Sequence, residues 1–164
     1  MSVVGINRGK QFENQVEAGL RRVPDTSVTR LIDPQAGFAG VYNVCDFIAY
    51  HYPHQFFLEC KSCYGNTLSI HTNNPKNRYG AISNGQWDGL SEAALTVGTV
   101  SGVLAWFIDH DETLFIPIQV LQEMRDAGCK SVNIKTVDRS RCCIIPGIKR
   151  RVLFDYDFSG FLGG

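Results

Sequence analysis

Apolar and polar positions alternate along the chain in patterns that predict helices and short strands in a particular order. Phe12, Val16 and Leu20 recur at helical spacing behind the capping residue Asn7, and they predict a first helix over about residues 8–22. Similar patterns predict strands over residues 27–32, 45–50, 56–61, 102–108 and 113–116, and helices over residues 84–97 and 117–124. Further short strands are expected at residues 132–134, 142–145 and 152–154. The order predicts an α/β protein with a mixed central sheet flanked by helices.

Two polar stretches are predicted to be loops. Residues 33–43 contain prolines and glycines, and residues 62–84 are polar with few apolar anchors. A long polar connection of this kind is often a mobile, functional loop. Lys76 and Arg78, beside Tyr79, could contact phosphates or stack on an unpaired base. An ordinary surface loop is an equal alternative.

Length and composition indicate one compact domain over residues 1–164. The chain has 164 residues, of which 44% are hydrophobic. No apolar run is long enough to cross a bilayer, and the first residues lack the apolar core of a secretory signal, so a cytoplasmic protein is expected. The six cysteines are expected to be reduced thiols.

The formal net charge is zero, which argues neither for nor against a nucleic-acid partner. The distribution of charge is more informative, because separated clusters can create a basic face on a neutral protein. The basic clusters are Arg8 and Lys10; Arg21, Arg22 and Arg30; Lys76 and Arg78; and Lys149, Arg150 and Arg151. We interpret residues 149–151 as a solvated turn rather than a DNA contact. Arg8, Lys10, Lys76 and Arg78 are the candidate DNA contacts.

Two neighbouring strands carry the residues with the clearest chemistry. Asp46 lies at the start of one, and Glu59 and Lys61 lie at the end of the next, on one face and about 7 Å apart. Two acids and an amine at the end of a buried sheet are costly to assemble unless a cation binds between them. Asp46 and Glu59 are therefore predicted to hold Mg²⁺, with Mn²⁺ as a substitute, while Lys61 assists a water or a phosphate. An acid of the first helix, Glu13 or Glu17, would complete the site.

These residues resemble a known nuclease signature. Asp46 followed thirteen positions later by Glu59-Cys60-Lys61 resembles the D…ExK signature of the PD-(D/E)XK superfamily, and the element order α-β-β-β-α-β resembles its restriction-endonuclease-like core. Residues 9–13, 40–43, 84–87 and 102–115 resemble RecU-type Holliday junction resolvases. The resemblance covers about residues 5–125, and residues 126–164 are expected to add further strands.

The resemblance implies a function and a role for each site residue. Asp46 and Glu59 would be metal ligands, Lys61 the catalytic lysine, Glu13 the helix carboxylate and Gln86 a glutamine near the active site. The implied activity is Mg²⁺-dependent cleavage of four-way DNA junctions with 5′-phosphate products. Because such a junction is two-fold symmetric and is cut on two strands, a C2 homodimer is the expected assembly.

The chain departs from that family at two places. Cys45 stands where the family usually has a hydroxyl residue before the catalytic aspartate. The long basic insertion between the family's first two core strands is reduced to residues 33–43, which contain no Lys or Arg. A related nuclease for duplex, flap or single-stranded DNA is therefore an alternative, as is a non-catalytic DNA-binding module on the same fold.

Two other interpretations concern the same strands. Glu59 and Lys61 could be an exposed ion pair on an edge strand, which would contribute at most about 1 kcal/mol. His51, His54, Cys60 and Cys63 have spacings that superficially suggest a zinc site. Strand geometry opposes zinc, because Cys60 faces away from Glu59 and Lys61.

Overall fold

The computed structural model describes residues 5–32, 43–70 and 82–164. Its helices are α1 (Arg8–Arg21), α2 (Asn84–Ala93), α3 (Ile118–Asp126) and α4 (Ser159–Gly163), with short 3-10 helices at Ile108–His110 and Arg139–Arg141. Its strands are β1 (Thr26–Arg30), β2 (Phe47–His51), β3 (His54–Cys63), β4 (Thr67–Ser69), β5 (Thr99–Phe107), β6 (Glu112–Pro117), β7 (Ser131–Asn133), β8 (Cys143–Ile144), β9 (Gly147–Arg150) and β10 (Leu153–Tyr156).

The central sheet has six strands in the order β1-β2-β3-β5-β6-β8. β3 and β5 are parallel, and every other neighbouring pair in this sheet is antiparallel. The parallel pair requires a crossover, and α2 lies in the chain segment that makes it. Two small antiparallel sheets, β4–β7 and β9–β10, complete the strand pairing of the described residues.

Each face of the central sheet has its own apolar core. One core joins α1 and α4 to the sheet through Phe12, Val16 and Leu162, and β10 adds Tyr156. The opposite core joins α2 and α3 to the sheet and includes Trp87, Leu90 and Leu121. The molecule is therefore a mixed sheet between two helical layers, and this confirms the predicted fold class and the order α-β-β-β-α-β of its first six core elements.

Local sequence explains where the first two helices begin. The side chain of Asn7 accepts a hydrogen bond from the backbone N–H of Lys10 at 3.0 Å, as predicted for the cap of α1. α2 begins after Ser83 with a capping box, in which Ser83 and Gln86 each bond the other's backbone N–H. The capping box fixes the side chain of Gln86 near β3 of the central sheet.

Several predicted boundaries were wrong. α2 ends at Ala93 rather than at residue 97, and Val97, which was predicted to be the last residue of this helix, is fully exposed. The chain turns at Gly98, whose φ is +82°, and the carbonyl of Gly98 accepts a hydrogen bond from Gln55 N–H. β5 consequently starts at Thr99, three residues earlier than predicted.

The segments after β3 and after residue 145 hold more structure than predicted. Residues 62–84 were expected to form one loop, but β3 continues to Cys63 and β4 pairs with β7. Leu68 and Ile70 anchor this part because both side chains are buried. Neither β9 nor α4 was predicted; periodicity is weak in elements this short.

Two sets of predictions fall outside the described residues. The loop expected at residues 33–43 lies there except for Asn43, and so do Lys76 and Arg78. The prediction of six free thiols is confirmed.

Gly102 on β5 provides a test of the packing between β5 and β6. A Cβ at this position would lie 2.3 Å from the backbone oxygen of Ile116, which cannot move without disturbing the sheet. We expect Gly102→Ala to lower the free energy of unfolding by about 2–3 kcal/mol in urea titrations. Gly160→Ala is the matched control, because nothing lies within 4 Å of a Cβ there. An equal effect of the two substitutions would contradict the close approach of β6 to Gly102.

Candidate active site

Glu59 is a buried carboxylate on the interior strand β3. Its side chain is 2% exposed, and its Oε1 accepts hydrogen bonds from Lys61 Nζ and from Gln86 Nε2, both at 2.7 Å. Its second oxygen, Oε2, is buried and has no hydrogen-bond partner among residues 5–32, 43–70 and 82–164. The interpretation of Glu59 and Lys61 as an exposed pair on an edge strand is therefore wrong, since β3 lies between β2 and β5.

The surroundings of Glu59 disfavour its ionised form. Burial is the largest cause, and together with the negative charges of Asp46 and Glu13 it raises the pKa of Glu59 to about 7, against the lowering effect of Lys61. The carboxyl group of Glu59 is therefore about half protonated near neutral pH. Its Oε2 has no hydrogen-bond donor among the described residues to stabilise a negative charge. Such perturbed groups are concentrated at functional sites.

Asp46 is held beside Glu59 by backbone hydrogen bonds to two strands. Its N–H donates to Leu58 O at 3.1 Å, its Oδ2 accepts from Cys60 N–H at 2.8 Å, and its carbonyl accepts from Leu31 N–H at 2.8 Å. These contacts flank Glu59 on the neighbouring strand. The two predicted metal ligands are therefore brought together, with Asp46 anchored at the junction of β1, β2 and β3.

The helix carboxylate Glu13 lies at the same site. Glu13, Lys10, Arg30 and Asp46 are among the residues that line one cleft of about 430 Å³. The Oε2 of Glu13 accepts from Arg30 Nη2 at 2.7 Å and from Lys10 Nζ at 3.0 Å. Glu13 is thus both close to the Asp46–Glu59 pair and balanced by two cations.

Glu17, the other candidate on α1, is placed differently. Its two oxygens are taken by Arg21 and Arg30 at 3.1 and 2.8 Å, and it does not line the cleft. The hydrogen bond from Arg30 lowers the pKa of Glu17, which marks it as a stably ionised partner in an ion pair. The geometry favours Glu13 over Glu17.

Gln86 reaches Glu59 with a defined amide orientation. Its Oε1 accepts from Ser83 N–H at 3.0 Å in the capping box, so its Nε2 is the atom left to face Glu59. The same bonds that start α2 therefore also hold one carboxylate oxygen of the site. Lys61 holds the same oxygen from the solvent side, with 22% of its side chain exposed.

Two of the four predicted DNA contacts, Lys10 and Arg8, lie in the described part of the chain. Lys10 lines the cleft and is half exposed, whereas the Arg8 guanidinium bonds Gln11 Oε1 at 2.8 Å within its own helix.

Arg30 was not singled out from the sequence as a site residue. It ends β1, lines the cleft, and joins Glu13, Glu17 and Asn14 through hydrogen bonds of 2.7–2.8 Å. Its guanidinium also lies 5.7 Å from the centre of the Phe47 ring. The sequence signal was an arginine in the predicted strand that precedes the Asp46 strand. Arginines are common in surface strands, so this signal is not specific.

The residues present fit a hard divalent cation. Among residues 5–32, 43–70 and 82–164, no group of three or more His, Cys, Asp or Glu side chains is arranged to hold a metal. Mg²⁺ nevertheless commonly takes one or two protein carboxylates and completes its shell with waters and substrate phosphates. A cation at Asp46 and Glu59 would satisfy the buried Oε2 of Glu59 and would favour its ionised form.

Cysteines near the site take no part in it. Cys60 is buried among the side chains of the α1 face, as predicted, which removes the ligand that a zinc site would need. Cys45 is buried as well; its thiol bonds Phe47 O at 3.2 Å, and burial raises its pKa to about 12. A neutral buried thiol thus directly precedes Asp46 in the chain.

The chain is similar in structure to solved proteins. Hjc from Archaeoglobus fulgidus, described as a Holliday junction resolvase from an archaeal hyperthermophile, matches with a TM-score of 0.46. The match has 19% sequence identity and covers 70% of this chain and 75% of that chain. Two chains at this level of similarity need not share a substrate or a mechanism. No protein-family model matches the sequence, and no curated protein is detectably similar to it.

The raised pKa of Glu59 has a consequence for stability. Folded Glu59 keeps its proton up to about pH 7, whereas the unfolded residue loses it near its ordinary value of 4.5, so the free energy of unfolding falls as pH rises between these values. Glu59→Gln removes this loss. In the absence of metal, we expect the difference in free energy of unfolding between the variant and the wild type to increase by about 2–3 kcal/mol as the pH rises from 5 to 8. Urea unfolding in EDTA measures this difference.

Glu17→Gln is the matched control for this titration. The pKa of Glu17 is lowered, so its contribution to stability is complete above about pH 4.5 and is lost only as pH falls further. The difference between this variant and the wild type should therefore stay constant from pH 5 to pH 8. A constant difference for Glu59→Gln as well would mean that Glu59 is ionised in the folded protein throughout this range.

Proposed function

We propose that this chain is a metal-dependent endodeoxyribonuclease that resolves four-way DNA junctions. The observation that carries the nuclease proposal is the buried Glu59 carboxylate, which has one unsatisfied oxygen and lies beside Asp46 and Lys61. An open cleft is lined by Asp46, Glu13 and Arg30, and Asp46 is the member of the site that it exposes. The sequence resemblance to the D…ExK signature agrees with this arrangement.

In this proposal each residue has a role in hydrolysing a phosphodiester. Asp46 and Glu59 would hold Mg²⁺, or Mn²⁺ in its place, which when bound lowers the pKa of a water and neutralises charge on the phosphate. Lys61 is poised to orient the attacking water or to stabilise charge on a non-bridging phosphate oxygen. The oxygen of the water bonds to phosphorus and the bond to the 3′ oxygen breaks, which leaves a 5′-phosphate and a 3′-hydroxyl.

Gln86 and Arg30 are assigned supporting roles. Gln86 holds Glu59 Oε1, so Oε2 is the oxygen that would bind a metal. Arg30 holds Glu13 at the cleft beside Asp46 and also pairs with Glu17.

The junction as substrate rests on the RecU-type resemblance of residues 9–13, 40–43, 84–87 and 102–115. A two-fold symmetric junction cut on both strands calls for a C2 homodimer with two sites. The short connection between β1 and β2 carries no basic residue, and this favours a second candidate with the same chemistry, a nuclease for duplex, flap or single-stranded DNA.

Asp46→Asn tests the assignment of the metal site. We expect at least about a thousandfold slower Mg²⁺-dependent cleavage of a labelled four-way junction, because a metal ion contributes several kcal/mol of transition-state stabilisation. Junction binding should be retained, since the phosphate contacts remain. Mg²⁺ should raise the melting temperature of the wild type but not of the variant.

Glu17→Gln is the control for that experiment. It also removes one carboxylate charge, but Glu17 lies outside the cleft, so cleavage should stay close to the wild-type rate. Cleavage by Asp46→Asn at the wild-type rate would place the active site elsewhere.

The substrate is tested by direct competition. We expect an immobile four-way junction to be cut by symmetric paired nicks that need Mg²⁺ and cease in EDTA, while linear duplex and a flap at equal concentration remain largely intact. Equal cleavage of all three would keep the nuclease and discard the resolvase. Salt-sensitive binding without any cleavage would instead indicate a non-catalytic DNA-binding module.

A further inference from the structure

The β9–β10 hairpin carries a basic tip that the proposed chemistry does not use. Lys149 and Arg150 end β9, and Arg151 and Val152 form the two-residue turn before β10. The tip residues 149–152 are all exposed. Arg151 adopts a φ of +57°, the left-handed conformation that a two-residue hairpin turn requires.

The contacts of the hairpin determine where its tip points. At its base, the Tyr156 hydroxyl bonds Thr113 Oγ1 at 2.8 Å, and the Tyr156 carbonyl accepts from Arg22 near the end of α1. Toward its tip, Lys149 Nζ bonds Asp111 Oδ2 at 2.6 Å, in the turn that precedes β6. The hairpin therefore runs toward the end of the sheet at which β5 turns into β6, with Lys149 beside that turn.

This is the same end of the sheet as the candidate active site. Lys61 on β3 is in register with Ala105 on β5, which is in register with Leu114 on β6, three residues from Asp111. Two strand spacings of about 5 Å and three residues of about 3.3 Å separate Lys61 from Asp111, which is about 15 Å. That separation is comparable to the width of a DNA major groove, about 12 Å. A duplex arm lying across this end of the sheet would span the distance between the candidate site and the Asp111 turn.

The charges of the tip suit a phosphate backbone. Lys149 and Arg150 pair with Asp111 and Asp155, but both pairs are largely exposed, with 45% and 66% of the basic side chains accessible. Exposed pairs of this kind contribute little to stability, so they can exchange for phosphate contacts at little cost. Among the ion pairs of the described residues, none involves Arg151, which leaves one cation in excess.

We propose that the β9–β10 hairpin is a DNA-binding arm of this protein, with Arg150 and Arg151 contacting backbone phosphates of a duplex arm beside the cleavage site. The inference rests on the proposed function, because the active site defines which end of the sheet faces DNA. It reverses the interpretation of residues 149–151 as a merely solvated turn. It also supplies a basic element that the short β1–β2 connection lacks.

The double variant Arg150→Gln, Arg151→Asn tests this arm. Asn is chosen at position 151 because it tolerates a positive φ, so the turn is kept while the charge is removed. In fluorescence anisotropy with a labelled junction in Ca²⁺, which prevents turnover, we expect about tenfold weaker binding. The slope of the logarithm of the binding constant against the logarithm of the salt concentration should become shallower by about 2, because each lost phosphate contact accounts for about 1.

Single-charge variants provide the matched comparison. Arg151→Asn and Arg21→Gln each remove one exposed positive charge, but Arg21 lies in the last turn of α1, at the opposite end of the sheet from the active site. Arg151→Asn should weaken binding and lower the salt slope by about 1, whereas Arg21→Gln should change neither. Equal effects of the two variants would mean that the hairpin affects binding only through the net charge of the protein, and this would overturn the proposal.

The outcomes separate this inference from the proposed function. If the wild type binds and cuts DNA while the double variant keeps its affinity and salt slope, the hairpin proposal fails and the nuclease stands. If the wild type neither binds nor cuts DNA, the proposed function fails and the arm fails with it. Ile148 is exposed on the same hairpin, so light scattering must accompany the assay. A double variant that binds weakly only because a dimer has dissociated would assign the hairpin to contact between copies and overturn the phosphate contact.

Discussion

Burial of the Glu59 carboxylate in the middle of the sheet is the constraint on which the rest of the site depends. An ionised carboxylate away from water requires compensation, and the described part of the chain provides it for only one of the two oxygens. The surrounding acids increase the deficit of positive charge instead of relieving it. This local arrangement is unfavourable for folding, and such arrangements are found where a ligand restores the balance.

The compensation that does exist comes from residues with structural duties. Gln86 closes the capping box of α2 and bonds Glu59 with the same side chain. Arg30 closes the edge of the sheet against α1 and at the same time balances Glu13 and Glu17. The start of α2 and the interior of α1 are thereby tied to the carboxylates of the site, so that small movements of α1 or α2 would be transmitted to the positions of the acidic oxygens.

The sequence predicted much of the site because its signals are local. Asp46, Glu59 and Lys61 lie on two adjacent apolar strands, and alternation along a strand decides which side chains share a face. Arg30 could not be found this way, because its role depends on the packing of β1 against α1, which the sequence does not encode at short range. The boundaries of helices and strands were least predictable where a single glycine sets them, as at Gly98. Short elements were also hard to predict, because they are stable only when packed against the rest of the protein. Leu68 on β4 and Phe158 before α4 are buried by distant partners, and no local periodicity marks them.

The parallel pairing of β3 with β5 limits the chemistry that a shorter fragment of the chain could perform. A fragment ending at Ile70 would contain both acids and the lysine, yet β3 would then be an edge strand open to water. Hydrated on that side, Glu59 would titrate like an ordinary glutamate, and its attraction for a cation would be that of any surface acid. The burial that raises the pKa of Glu59 is thus contributed in large part by β5, a strand that places no functional group in the candidate site.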